Sequence, residues 1–241
     1  MVYRLQVVGI GVCGQEAMQS NVDHVLALGL PIVEKTQPHG RPLAIVGGGH
    51  SAKEAIEELR NWPGDIWAIN GMCQWLLSQG VDATLLSVDP EDCLAPLCVG
   101  VNKALLAMHC CPEAFENLKD ADVSVFSTRH VEYTDPIGGG TTTATRAPLL
   151  ALRLGYTDVS YFGCEGNFGE TSHVFKAEEP ASQVIVKAGG KDYRANMQFL
   201  NQSENLAEVI RNFPTIFKDR SGGLLGAMLA NPDTWEVVAL S

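Results

Sequence analysis

The sequence predicts an α/β protein: a Rossmann-like, doubly wound and mostly parallel sheet with helices on both faces, plus a small β-hairpin insertion near the C-terminal side. Three observations lead there. Within residues 43–92, three apolar runs short enough for buried strands (43–46, 65–69 and 83–88) alternate with helical stretches. Each run ends in small or polar residues: Gly47, Gly48, Gly49, His50 and Ser51 after the first, Asn70 and Gly71 after the second, Asp89 and Pro90 after the third. The strand and helix rhythm then returns beyond residue 100, which is the pattern of right-handed βαβ units.

With 241 residues, 46% of them hydrophobic and 19% charged, the chain can bury a full core. It divides into an N-terminal helical arm and connector, 1–41, and one globular unit, 42–241. A net charge of −11 and a pI near 4.9 argue against a broad surface for nucleic acid. There is no run of 18 apolar residues and no basic-then-apolar leader, so the expectation is a cytoplasmic chain without a membrane span. Seven scattered cysteines suit reduced thiols better than a disulfide frame. His109, Cys110 and Cys111 lack the spacing of a zinc site and are expected as buried small groups.

In chain order, residues 5–10 form a strand or an apolar lead-in. The apolar spacing in 15–30 predicts a helix stopped at Gly29, and Pro38, Gly40 and Pro42 mark a connector. His24 and His39 are expected on the surface. Past the central stretch, 103–108 and 123–127 read as strands, with a helix at 112–118 begun by Pro112. Gly138, Gly139 and Gly140, followed by Thr141, Thr142 and Thr143, lead into an Ala- and Leu-rich helix that ends at Leu154 and Gly155. Residues 158–162 form the next strand, 183–187 and 191–194 a hairpin, 203–212 a helix and 235–240 a closing tail.

Strands with their carboxyl ends on one edge place these polar clusters where open α/β sheets bind ligands. Gly47, Gly48 and Gly49 allow backbone N–H groups to approach a phosphate, and Ser51 is placed to cap the helix that begins at Ala52. Gly139, Gly140, Thr141 and Thr142 offer a second set of amides and hydroxyls to a phosphate or ribose. The loop spacing is neither Gly-x-Gly-x-x-Gly nor a P-loop.

The ordered set of these motifs resembles the MptE-like family, from about residue 42 to 210. It comprises the Gly47 loop with Ser51, Asn70 and Gly71, Ser87 to Pro90, His109 with Pro112 and Glu113, and Gly138 to Thr141. Gly163 with Glu165, Thr171 to His173 and the Gly189 and Gly190 hairpin complete it. That family groups 6-hydroxymethylpterin diphosphokinase relatives with the core domain of motility-associated flagellin glycosyltransferases, and more distantly the chain is similar to bacterial sialyltransferases that use a CMP-sugar donor. The chain departs from the pattern at His50, where Pro is usual, and at Glu165, where Asp is common. It also lacks the Asp-Gly-Asp and paired-His motifs of a pterin diphosphokinase, so the glycosyltransferase branch is the closer likeness.

The resemblance implies a nucleotide or nucleotide-sugar donor with phosphate between the Gly47 and Gly138 loops, and base and ribose near Asn70, Gly71 and Asp89. His173 would serve as base or phosphate partner and Glu165 as an electrostatic stabiliser. The alternative is ATP-dependent diphosphoryl transfer to a pterin-like alcohol, with Mg²⁺ held by Asp89 together with Glu91 or Asp92. A second alternative is a nucleotide-binding protein without chemistry. Self-association and the acceptor's identity are left open.

Overall fold

The computed structural model describes residues 13–129, 131, 134–171, 173–174 and 184–239. Its elements in order are α1 (Gln15–Ala27), β1 (Leu43–Val46), α2 (Ser51–Glu54), α3 (Ile56–Arg60), β2 (Asp65–Ile69), α4 (Met72–Ser78) and β3 (Thr84–Ser87). A 3-10 turn (Asp92–Cys98) leads to β4 (Lys103–Ala107), α5 (Pro112–Asn117), β5 (Asp122–Phe126), α6 (Thr143–Arg153) and β6 (Val159–Phe162). The chain closes with β7 (Val184–Ala188), β8 (Lys191–Ala195), α7 (Met197–Asn212), β9 (Phe217–Asp219), α8 (Gly223–Ala230) and β10 (Trp235–Ala239).

Seven strands form one parallel sheet in the order β5-β4-β3-β2-β1-β6-β9. Successive side chains of a strand point to opposite faces, so a strand buried at every position is covered on both sides. All four residues of β1 and of β6 are buried, and helices cover the sheet accordingly. The expected doubly wound sheet is the observed one. The hairpin is present as antiparallel β7 and β8, and the C-terminal tail adds β10 to β7, making a separate three-stranded sheet.

Some boundaries differ from expectation. The helix expected at 203–212 starts six residues earlier, at Met197, because Asn196 caps it by accepting the amide of Phe199 at 2.7 Å. β9 and α8 carry no periodic signal: one is three residues long, and the other begins at two glycines with positive φ, Gly222 and Gly223. The strand or lead-in expected at 5–10 lies outside the described residues. α1 packs on the body through Val22 and Val25, and the connector continues along β5, where the amide of Val33 donates to the carbonyl of Val125 at 2.8 Å. His39, expected on the surface, is half-buried, with its ring edge-on to Tyr156. Among the described residues no helix is long and apolar enough to cross a membrane.

Sheet order places the site. From β1 the chain steps outward through β2, β3, β4 and β5, then returns to the other side of β1 as β6. The loops after β1 and β6 therefore part in opposite directions, and this reversal is where open α/β sheets have their crevice. Register aligns Val46 with Phe162, so the two loops leave the sheet side by side.

Candidate functional site

A cleft of about 770 Å³ runs along the carboxyl ends of the parallel strands. Across the sheet it is lined by Thr128 and Arg129 after β5, His109 after β4, Asp89 and Glu91 after β3, Asn70 after β2, Gly47 to Gly49 after β1, and Glu165 after β6. Thr141, Thr142, Thr143 and Arg146 at the start of α6 and Gln198 and Gln202 of α7 form another wall, and His173 also borders it.

The loops after β1 and β6 are locked together. The amides of Gly47 and Gly49 donate to the carbonyls of Phe162 and Gly163 at 2.8 and 2.9 Å. Glu165, 5% exposed, accepts the Ser51 amide at 3.1 Å and the Ser51 hydroxyl at 2.7 Å. Here the structure corrects the expectation for the first loop. Ser51 does not cap a helix; α2 has His50 at its cap without a side-chain bond and is only four residues long. A protein carboxylate already occupies the anion position that the glycine loop and Ser51 create, and Gly49 lies against it: a Cβ there would fall 2.1 Å from Glu165 Oε2. Gly48, on the cleft wall, accepts the Val174 amide through its carbonyl at 2.8 Å. His50 is not among the cleft-lining residues; its Nε2 meets the carbonyl of Thr171 at 2.9 Å.

The second loop divides. Thr142 caps α6 in a reciprocal box with Thr145: its hydroxyl accepts the Thr145 amide while its own amide donates to the Thr145 hydroxyl. Thr143 Oγ1 accepts the Val88 amide at 3.3 Å, which fixes the helix start over the end of β3. Thr141 and Thr142 thus reach the cleft. Gly139 and Gly140 do not; they lie behind the helix start, lining a hollow of about 210 Å³ with Leu149, Leu152 and Phe213. Asn70 lines the cleft in a left-handed conformation, φ 50°, with its buried side-chain oxygen unpartnered, whereas Gly71 begins α4 and is buried away from it.

The carboxylates expected to hold Mg²⁺ also divide. Asp89 and Glu91 lie together with Cys93, while Asp92 groups with Cys111 and Glu113. Asp89 Oδ1 accepts the Glu91 amide at 3.1 Å, folding the segment into a tight turn. Two carboxylates on the cleft match the one or two that commonly hold Mg²⁺ alongside substrate phosphates; Cys93, a soft thiol, does not belong in such a set.

Arg146 carried no functional signal in the sequence, and His109 entered as part of a motif of the resemblance, without a role. The His109 ring bridges two strand ends: Nε2 meets the Val88 carbonyl at 2.8 Å and Nδ1 the Thr128 hydroxyl at 3.1 Å. The carbonyl can only accept, so Nε2 carries a proton and Nδ1 is left to accept from the hydroxyl. Burial lowers its pKa, and Arg146 and Arg129 act in the same direction against the Val88 carbonyl and Asp89. Cys110 beside it is fully buried, as expected, its thiol reaching the Ser87 carbonyl at 3.7 Å. Arg146 sits half-buried on the first turns of α6, with Nη1 on the Ile137 carbonyl at 3.0 Å. His173 stands edge-on to Phe199 with 5.7 Å between ring centroids.

No family model, curated protein or solved structure matches the chain. The class that fold and site define is an α/β protein with a polar cleft at the carboxyl edge of a parallel sheet.

Proposed function

We propose that the protein is a nucleotide-dependent transferase, most closely a glycosyltransferase-like enzyme that moves a sugar from a nucleotide-sugar donor to an acceptor hydroxyl. The observation that carries this reading is the cleft. Its volume suits a nucleotide-sized ligand, and it joins hydroxyls, amides, two arginines, two histidines and carboxylates along the crevice of a doubly wound sheet. The resemblance to the MptE-like family supports the same class. Two imidazoles line the cleft; the His109 ring nitrogens are engaged by the Val88 carbonyl and the Thr128 hydroxyl, and His173 would take the acceptor proton or meet the departing phosphate. Glu165, at the β1 and β6 end, would face positive charge developing on a sugar ring. Seven unpaired cysteines fit a reducing compartment, and we place the protein in the cytoplasm.

Asp89 and Glu91 on the cleft favour a second reading, diphosphoryl transfer from ATP with Mg²⁺ between these carboxylates and the phosphates. A thermal-shift screen against CMP, UDP, GDP, ATP and pterin, each with and without Mg²⁺, separates the two. Stabilisation by a pyrimidine nucleotide or GDP without metal supports the first reading, and stabilisation by ATP only with Mg²⁺ supports the second. No shift with any nucleotide removes both.

A further inference from the structure

Of the 17 lysines and arginines in this acidic chain, Arg129 and Arg146 both line the cleft, and neither has a carboxylate partner among the described residues. Their side-chain contacts are neutral: Arg146 donates to the Ile137 carbonyl, and Arg129 reaches the Met18 thioether at 2.8 Å. Arg129 is exposed and Arg146 half-buried; a half-buried guanidinium costs desolvation, and a protein that keeps one without a counter-ion leaves donors open for an anion. Arg146 has lost enough hydration that its pKa is lowered, with burial the cause. Both arginines act on His109, so the three groups sit together at the β4 and β5 end of the cleft.

The opposite end has the opposite character. There the buried Glu165 carboxylate takes the Ser51 donors, and the amides of Gly47 and Gly49 are spent on the β6 loop. A phosphate placed at the Gly47 loop would meet a carboxylate; placed at the β4 and β5 end, it would meet two guanidinium groups, which outnumber the one carboxylate, Asp89, that also acts on His109 there.

We propose that Arg146 and Arg129, with Thr141 and Thr142 beside them, form the phosphate subsite of the cleft. The ligand then lies with its phosphate or diphosphate over β4 and β5, and its hydroxyl-bearing remainder towards Glu165. This rests on the nucleotide reading for the ligand's identity, though not for the existence of an anion subsite. The polarity is the reverse of the one that the glycine loop suggests.

The test uses isothermal titration calorimetry at low salt, with inorganic pyrophosphate, CMP, UDP, cytidine and uridine as probes. Arg146→Ala and Arg129→Ala are compared with wild type and with Lys119→Ala, an exposed cation outside the cleft. The expected result is pyrophosphate binding to wild type, weakened about ten- to a hundredfold by either arginine substitution and unchanged by Lys119→Ala. CMP or UDP should exceed its nucleoside by a margin that Arg146→Ala abolishes. Pyrophosphate bound as tightly by both arginine variants, or not bound by wild type, overturns the subsite; nucleotide binding that persists in that case leaves the nucleotide reading standing. Arginine-dependent pyrophosphate binding without any nucleotide binding keeps the subsite and removes the nucleotide reading. If Arg146→Ala does not fold, Arg129→Ala and Arg146→Lys carry the same comparison, the lysine keeping charge while losing the planar fork.

Discussion

Ser51 donates both its amide and its hydroxyl to the carboxylate of Glu165, across 114 residues of sequence. The pair ties the loop after β1 to the loop after β6 at the reversal of the sheet and fills the anion position of the glycine loop from within. Removing the carboxylate leaves two half-buried Ser51 donors without this acceptor. Hydrogen bonds to charged groups contribute about 1.5–3 kcal/mol, and an unsatisfied buried donor costs about as much, so Glu165→Ala should lose about 2–4 kcal/mol in urea denaturation. Glu165→Gln, which keeps one acceptor oxygen, should lose less. Equal stability for all three proteins would make the pair incidental.

Close contact between the two loops also changes what glycine substitution does. A Cβ on Gly47 would lie 2.5 Å from the Gly163 carbonyl oxygen, and one on Gly163, at φ +62°, would lie 2.1 Å from the Gly47 oxygen. Gly47→Ala and Gly49→Val are therefore expected to cost about 2 kcal/mol or more, by forcing backbone apart or displacing Glu165. Gly40→Ala, with open space around its Cα, serves as the control and should stay within about 0.5 kcal/mol of wild type. From the sequence alone, a Val in this loop is expected to block a ligand while sparing the fold. The structure makes stability the first casualty, and thermal melts of purified variants distinguish the two.

The parallel sheet was legible because its strands are short, uninterrupted apolar runs: β1 reads Leu43 to Val46 and is buried throughout. The start of α6 was legible because Thr142 and its neighbours carry capping chemistry in local sequence. The carboxylate that closes the glycine loop was not, since Ser51 and Glu165 meet only through the pairing of β1 with β6. Arg146 was hidden for a related reason. In an Ala- and Leu-rich helix an arginine reads as an exposed residue, and only the packing of the α6 start against the end of β3, where Thr143 accepts the Val88 amide, brings Arg146 to the cleft.

Thiol chemistry supplies a further check on burial. Burial pushes the Cys73 and Cys98 thiols up to about 12 and also raises those of Cys110 and Cys164. Thiolate is the reactive form, so these four should resist alkylation at pH 8 in the native protein. Cys93, exposed, and Cys13, half-buried, should be labelled first. Native mass spectrometry after a brief iodoacetamide pulse reads the order, and early labelling of Cys98 or Cys164 would contradict the packing described.

His109 makes stability depend on pH. Its folded pKa lies below the usual value of about 6.5, with burial the main cause. Below pH 6.5 the unfolded chain therefore binds a proton more readily here than the folded chain does. Its contribution to stability is fully present above pH 6.5 and is lost as pH falls below that value towards the folded pKa. Protonation would also put a donor on Nδ1, leaving the Thr128 hydroxyl to turn and accept, and would add a third positive charge beside Arg129 and Arg146. Urea denaturation of wild type between pH 8 and pH 5 should show stability falling with pH, and His109→Gln, which cannot titrate, should flatten that part of the curve while lowering the plateau at pH 8. An unchanged slope in the variant would assign the acid sensitivity to other groups. A phosphate bound at the arginines would offset the two cations that disfavour His109 protonation, so pyrophosphate should raise the histidine's pKa, a shift that the imidazole carbon protons report directly by NMR.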